Sequence, residues 1–305
     1  MMDDILDFEN ILKNKSHLFD VIYTHLDLPK STYLGTQITK KTIIEQNNLS
    51  SSDKTLLQKF VQFVTWLNTI KPETVNIPSY ITCTVEYIEV AVLKVTLKNQ
   101  SSNTGRLKLS LLNKVAKLFH TLIPYPIILL IEYDDKLAIS LADKRINQAD
   151  GSKLIVDNDY TSQWLSVTDL KQNEMEFLND FTFSNVSKEN SYELYQDLIS
   201  MILELEKSYY TGSYLIRNRM RNNHSDNTEK YLKDRSRTKP EKIPFNHLSN
   251  KEKYILITKL SLLQSKLTKV RKKLKKEKQM NEKMLLNLKA KKVKEEIAAI
   301  SSQLE

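Results

Sequence analysis

The 305-residue chain has little of the residues that build disulfide frameworks, metal sites and phosphate loops, with one cysteine, five histidines and four glycines. One cysteine excludes a disulfide scaffold, and together with five dispersed histidines it excludes a structural zinc site. The four glycines are isolated from one another, so neither a Walker loop nor a dinucleotide-binding fingerprint is present. We therefore predict no cofactor, no metal ion and no familiar catalytic motif.

Long apolar runs and a secretory leader are also missing. The longest strictly aliphatic run is Ile127 to Ile131, whereas roughly 20 apolar residues are needed to cross a bilayer. Met1 to Asn10 carries four acidic residues and no basic one, the opposite of a secretory signal. Cys83 lies in an alternating apolar stretch, which is typical of a reduced, buried thiol. We expect a cytoplasmic protein without a membrane partner.

The positive charge is concentrated in one segment. Residues 264–294 contain 13 lysines and arginines against two acidic residues, a net charge of +11, whereas the whole chain carries +9. The remaining residues are therefore close to neutral. Basic segments of this density attract nucleic acid phosphates or acidic protein surfaces.

The same segment has regular apolar spacing. Two series repeat at alternating intervals of four and three residues, which is the a/d pattern of a coiled coil. The 12-residue gap between them rotates the second apolar stripe by about 120° on a continuous helix. An antiparallel hairpin turning near Gln279 to Asn281 removes this conflict, and one long helix is the alternative. The first series, which we predict to be an interface, is Leu256, Leu260, Leu263, Leu267, Val270 and Leu274; the second is Leu286, Ala290, Val293, Ile297, Ile300 and Leu304.

The preceding residues predict an α+β fold, a mixed β-sheet with covering helices followed by the basic helical hairpin. Helical periodicity runs from Leu56 to Leu67 and through residues 106–122. Alternating or continuous apolar residues predict strands within 81–97, at Ile127 to Tyr133, at 136–142 and at 154–156, and a capped helix follows Asn190. The predicted organisation is an N-terminal helical extension (1–27), a globular domain (28–216), a polar linker (217–248) and a basic coiled coil (249–305).

The sequence offers three weak catalytic candidates for a nuclease centre, Glu86, Glu89 and Lys94. Restriction-type nucleases place an acidic residue two positions before the lysine, so that both side chains share one strand face beside Mg²⁺. Val92 occupies that position, so the pattern is missing. His120 lies on an apolar helical face, which is more typical of a packed histidine than of a catalytic one.

The nucleic-acid-binding candidates are the basic residues of the predicted hairpin and a basic pair expected directly after a strand. The pair is interpreted either as a contact to phosphate or to a partner's carboxylate, or as strand-end residues that face water. The lysines of a coiled coil also have a simpler interpretation, because a charged outer face keeps such helices soluble. The candidates are Lys269, Arg271, Lys272, Lys273, Lys275, Lys276, Lys278, Lys144 and Arg145.

Several short segments, taken in order, resemble a bacterial family of domains of unknown function, number 4391. The segments are Leu28 to Thr32, Pro72 to Ile77, Ile123 to Ile127, Lys144 to Asn147 and Lys276 to Asn281. The resemblance implies an α+β domain with a C-terminal coiled coil. It also implies a genomic setting near helicases and DNA methyltransferases of restriction or phage-defence cassettes.

We therefore expect a non-enzymatic accessory or scaffold subunit of a bacterial anti-phage or restriction-type DNA-targeting complex. In this hypothesis the globular domain docks a helicase or another ATPase, or a DNA methyltransferase, and the basic coiled coil contacts DNA. Two alternatives stay open. One is a nuclease effector of such a system, and the other is a purely structural protein that forms a homo-oligomer through the coiled coil.

Overall fold

A computed structural model describes residues 17–99, 109–216 and 248–304. The chain divides into two compact units, residues 1–202 and 203–305. The first contains a mixed sheet with helices, and the second contains the end of a long helix and a helical hairpin. The predicted fold class is confirmed. The predicted N-terminal extension up to residue 16 and nearly all of the predicted linker lie outside the described residues.

Helices and strands are interspersed along the first part of the chain, and the C-terminal part is helical. The helices are α1 (Leu18–His25), α2 (Lys40–Gln46), α3 (Ser51–Phe60), α4 (Pro72–Val75), α5 (Leu109–Leu122), α6 (Gln172–Asp180), α7 (Ser191–Thr211), α8 (Asn250–Lys276) and α9 (Met280–Leu304). The strands are β1 (Tyr33–Gln37), β2 (Val61–Ile70), β3 (Tyr80–Ile81), β4 (Glu86–Tyr87), β5 (Val90–Leu97), β6 (Ile127–Tyr133), β7 (Lys136–Asn147), β8 (Asp150–Thr161) and β9 (Leu165–Ser166). No helix in the described part of the chain is both long and apolar enough to span a bilayer.

The main sheet has seven strands among the described residues, in the order β1-β2-β5-β6-β7-β8, with β9 beside β7. Strands β5 and β6 are parallel, and the other neighbours are antiparallel. A parallel pair needs a long crossover, which here contains α5. The strands β3 and β4 form a separate two-stranded sheet. The parallel pair therefore occupies the centre of the main sheet, between antiparallel flanks.

Apolar side chains cover both faces of the central strands. On one face, Leu57 of α3 and Phe119 of α5 belong to the same buried cluster as Leu93, Leu129 and Ile131 of the strands. On the other, the hydroxyl of Tyr195 in α7 donates to the carbonyl of Ile127 at 2.8 Å and accepts from the amide of Ala142 at 2.9 Å. Because both faces are covered, β5 and β6 are apolar over nearly their whole length.

The helix predicted from Leu56 to Leu67 is wrong over its second half. Helix α3 ends at Phe60, and the chain continues directly as β2, which pairs with β5. Two irregularities in the β2–β5 register, at Val61/Phe63 and Trp66/Asn68, shift the alternation of side chains. Buried positions then recur every three residues or so, which imitates a helical stripe.

The region 81–97, predicted as one bulged strand or two tightly joined strands, contains the short β3–β4 hairpin and then β5. Cys83 lies in the connection between β3 and β4 and is exposed, so the predicted core position is wrong. The strand predicted near 154–156 is confirmed and lies inside the longer β8.

Helices α8 and α9 pack together as an antiparallel hairpin, which confirms the preferred alternative. The predicted capping box is present: Ser249 Oγ accepts from the Glu252 amide at 3.3 Å, and the Glu252 carboxylate accepts from the Ser249 amide at 2.8 Å. The turn occupies residues 277–279, two residues earlier than expected. It needs no glycine, because Glu277 has an ordinary extended conformation, with φ −72° and ψ 138°.

Candidate nucleic-acid interface

The apolar seam of the hairpin is formed within this chain. Four predicted interface residues of α8, Leu260, Leu263, Leu267 and Val270, are buried, and the matching residues of α9 include Val293. Leu256 and Leu274, at the two ends of the predicted series, are half-buried. Ile257, one residue after Leu256, is also buried. Since α8 and α9 cover each other, these leucines stabilise the hairpin itself.

The outer face of α8 is lysine-rich along its C-terminal half. Five exposed lysines recur at intervals of one or three residues on the side away from the buried seam, so their ammonium groups form one basic surface. We call this surface the lysine face; it consists of Lys266, Lys269, Lys272, Lys273 and Lys276. All seven hairpin residues predicted to bind nucleic acid are exposed. Four of them belong to the lysine face, and the other three, Arg271, Lys275 and Lys278, flank it.

The turn between the two helices is stabilised by a carboxylate. Glu277 Oε1 accepts from the amides of Lys278 at 2.8 Å and Gln279 at 3.0 Å, at the N-terminal end of α9. These hydrogen bonds lower the pKa of the Glu277 carboxyl. Amides at the start of a helix have no partner within it, so an acidic residue placed there satisfies them. The Glu277 carboxylate therefore stabilises the turn through two backbone amides.

Lys144 is not at the surface, which corrects the position expected for it. Strand β7 continues to Asn147, so Lys144 lies inside the strand and is 2% exposed. Its ammonium donates to the carbonyls of Ile123 and Tyr125, at 2.5 Å for Tyr125. Burial lowers the pKa of Lys144 to about 7. The side chain holds the connection between α5 and β6 against β7, and its ammonium is buried and bonded to these carbonyls.

Arg145, the second residue of the pair, points to the other side of β7 and is half-buried. Its Nε lies 3.4 Å from Asp157 Oδ1 on the neighbouring strand β8. This partly exposed cross-strand ion pair neutralises part of the positive charge that was predicted to attract nucleic acid. The basic pair is thus divided between two faces of one strand.

A second polar cluster lies close to Lys144 inside the domain. His120 of α5 is completely buried, and its Nε2 is 2.9 Å from Ser140 Oγ on β7, which is itself 2.7 Å from Thr161 Oγ1. His120 Nδ1 has no hydrogen-bond partner among the described residues. Burial, and secondarily the charge of Lys144, lowers the pKa of His120 to about 3. His120 is packed, as its position on an apolar helical face indicated.

The three weak catalytic candidates have different neighbours. Glu86 belongs to the small β3–β4 sheet, and burial raises the pKa of Glu89, whose charged neighbours are Lys71 and Glu73. Lys94 Nζ lies 3.1 Å from the carboxylate of Glu132 on β6 and 3.5 Å from the centre of the Phe19 ring. Residues 17–99, 109–216 and 248–304 contain no group of three or more His, Cys, Asp or Glu placed to hold a metal ion.

One cleft of about 270 Å³ opens beside the main sheet. Its lining is mostly apolar and includes Ile43, Trp66, Phe119 and Leu122, with Thr42, Gln46 and Asn47 supplying polar groups. The residues predicted as sites lie elsewhere. The indole of Trp66 is already satisfied, because its Nε1 donates to the Asn68 carbonyl at 3.0 Å and to Thr69 Oγ1 at 2.9 Å.

Two features were not foreseen from the sequence. The first is the pair of carbonyls that accept hydrogen bonds from Lys144. The signal for its burial was that Lys144 lies four residues after Ser140, on the same face of the strand. The second is an apolar surface on α9 that includes Met284 and Leu288 and takes no part in the seam. The four-residue spacing of Met280, Met284 and Leu288 was the signal for it.

The fold and its surface define a class of protein: a mixed α+β sheet domain followed by a basic helical hairpin. The chain matches the family model described as "Domain of unknown function (DUF4391)" over residues 26–241, and it belongs to that family. No curated protein and no solved structure matches the chain. The matched range ends before α8, so the hairpin lies outside it.

Proposed function

We propose that this protein is a non-enzymatic accessory subunit of a bacterial DNA-targeting complex of the anti-phage or restriction type. In this proposal the sheet domain docks a helicase or a DNA methyltransferase, and the hairpin contacts the DNA backbone. The partner class rests on the gene neighbourhood that the resemblance of the sequence segments implies. The DNA contact rests on the surface of the hairpin.

The lysine face is the observation that supports the DNA contact. Hairpin stability does not require these five ammonium groups, because the buried seam lies on the opposite side of α8. A row of exposed cations along one face of a helix can contact the phosphate backbone without reading bases. We therefore expect binding that depends strongly on salt and weakly on DNA sequence.

The test is binding of the full-length protein to a duplex DNA of arbitrary sequence, measured by fluorescence anisotropy over a range of salt concentrations. The variant Lys269→Gln/Lys272→Gln/Lys276→Gln removes three charges from the lysine face. Since the slope of log affinity against log salt is about −0.9 per phosphate contacted, it should become shallower by roughly 2 to 3 units.

The matched control is Lys54→Gln/Lys114→Gln/Lys117→Gln, which removes three exposed lysines from α3 and α5 and gives the same net charge. We expect this control to keep the wild-type slope. If both triple variants lose the same amount of DNA affinity, the DNA is attracted by net charge alone. If the wild-type protein does not bind DNA even at low salt, the DNA contact is refuted. Co-purification with the proteins encoded beside it, followed by identification of what binds, tests the partner class separately.

A further inference from the structure

The outer face of α9 carries an exposed apolar surface in its first three turns. Four large side chains lie there, and each is more than half exposed. We call this surface the α9 patch; it consists of Met280 (75% exposed), Met284 (61%), Leu285 (59%) and Leu288 (54%). With a rise of 1.5 Å per residue, it extends roughly 12 Å along the helix.

The α9 patch is not part of the hairpin seam. The buried residues of α9, including Ala290 and Val293, face α8, and Met284 and Leu288 lie on the opposite side of the helix at 100° per residue. The first half of α9 is therefore apolar on two sides, although one apolar side is enough for a two-helix hairpin. Clustered exposed apolar side chains of this kind mark interaction surfaces.

Positive charges surround the patch. Lys289, Lys291 and Lys292 lie one to four residues beyond Leu288 and are exposed, and Lys283 precedes Met284. Glu282 is the only acidic residue between Lys278 and Lys294. An occupant of the patch must therefore offer apolar side chains in the middle and negative charge at its edges.

This charge pattern selects among the occupants. A second copy of the chain would bring two segments of the same sign together, which is unfavourable at close range. A helix with an apolar stripe between acidic residues offers both complements, as in the e and g positions of coiled coils. We propose that the α9 patch docks an acidic amphipathic helix of a partner protein, which packs on the hairpin as a third helix.

This inference rests on the proposed function only in that an accessory subunit requires a partner. The lysine face and the α9 patch lie on the outer sides of two antiparallel helices that face each other, so they point in opposite directions. DNA and the partner helix therefore need not compete, and each surface can be changed separately.

The experiment uses the full-length protein and a labelled synthetic helical peptide with leucines at a and d and glutamates at e and g. We expect binding by fluorescence anisotropy that the double variant Met284→Gln/Leu288→Gln weakens by at least about tenfold. Because both side chains are exposed, the variant should keep the wild-type circular dichroism spectrum. Leu285→Gln is a second, independent variant with the same expected direction.

Two controls separate the possible failures. The variant Lys269→Gln/Lys272→Gln/Lys276→Gln should weaken DNA binding and flatten its salt dependence but keep peptide binding within about threefold, because it leaves the patch unchanged. A peptide with lysine in place of glutamate should not bind. If the acidic peptide binds the triple variant while no form of the protein binds DNA, the docking site stands and the DNA contact fails.

Four results would overturn the docking site. They are no binding of the acidic peptide, equal binding by the double variant, equal binding of the lysine peptide, and self-association of the wild-type protein that the double variant abolishes. The last result would identify a second copy as the occupant. Binding to anionic phospholipid vesicles that the double variant abolishes, without peptide binding, would likewise replace the partner helix by a lipid surface.

Discussion

At the scale of single residues, two nitrogen bases are buried inside the sheet domain, one of them a histidine predicted to be packed and the other a lysine expected at the surface. Lys144 and His120 belong to different elements, and both are shielded from solvent. Burial disfavours the charged form of each, so the pKa of Lys144 falls to about 7 and that of His120 to about 3. The carbonyls of Ile123 and Tyr125 oppose this for Lys144, because they accept from its ammonium.

Acid should destabilise the protein through His120. The folded state keeps this ring neutral down to about pH 3, whereas the unfolded chain takes up a proton near pH 6.5. Between these values the unfolded state binds more protons, so the free energy of unfolding falls as the pH is lowered, by up to about 1.4 kcal/mol per pH unit. Urea unfolding at several pH values measures this slope.

The variant His120→Asn tests the assignment, because asparagine does not titrate. We expect a shallower decline of unfolding free energy between pH 6.5 and pH 4 than in the wild type, at the cost of some stability at neutral pH. A wild-type slope in this variant would place the acid sensitivity in another group.

At the scale of elements, the hairpin carries its stabilising contacts and its binding surfaces on different sides of the same helices. Leu263 is buried in the seam at 8% exposure, and the adjacent Leu262 is 67% exposed. In the second unit, the end of α7 contacts α8, where Tyr210 and Ser261 are hydrogen-bonded. The buried pair of Glu204 and Lys207, 2.6 Å apart, lies on the same part of α7.

Neighbouring leucines of α8 should therefore differ sharply when replaced. Leu263→Ala and Leu267→Ala each remove a buried side chain from the seam, and we expect each to lower the free energy of unfolding by about 2 to 5 kcal/mol. Leu262→Ala is the matched control one residue away and should change it by less than about 0.5 kcal/mol. The measurement is denaturant unfolding followed by circular dichroism at a helical wavelength.

Equal effects at Leu262 and Leu263 would contradict the hairpin packing. A seam formed with another chain would give a different result, since the cost of Leu263→Ala would then depend on protein concentration. Repeating the unfolding at a tenfold higher concentration separates the two arrangements.

At the scale of the whole molecule, charge and core are segregated along the chain. The segment 264–294 has a net charge of +11 against +9 for the whole chain, so the sheet domain contributes almost none of the positive field. The seam leucines are buried between α8 and α9 of the same chain. Repulsion between two such basic segments disfavours the association of two chains through their hairpins. The hairpin is therefore available to bind something of opposite charge.

We expect the isolated protein to be monomeric at low and at physiological salt. Light scattering after size exclusion should give the chain mass of 35.6 kDa. A dimer that persists in Leu262→Ala but is lost in Met284→Gln/Leu288→Gln would show that the α9 patch pairs with itself. A dimer that survives both changes would place the contact outside the hairpin.

Part of the fold followed from local sequence, and part did not. Helix α7 begins where Asn190 predicted it, with Asn190 Oδ1 accepting from the Glu193 amide at 2.9 Å. The β6–β7 hairpin turns at Asp134, whose φ is 56°. In β2, by contrast, register shifts imitated helical spacing, and only the pairing with β5 identifies a strand. Of the site residues, the hairpin lysines were predictable as exposed, because helical periodicity assigns their face.

The amino-acid sequence by itself determined the hairpin, its capping box at Ser249 and the position of its positive charge, because these depend on residues within a few turns of one another. The tertiary structure alone decided that Val61 to Ile70 is a strand and that Lys144 is buried. Both outcomes depend on partners distant in sequence, β5 for the strand and the carbonyls of Ile123 and Tyr125 for the lysine. The helix or strand preference of a short segment is weaker than such tertiary contacts, so the contacts decide its structure.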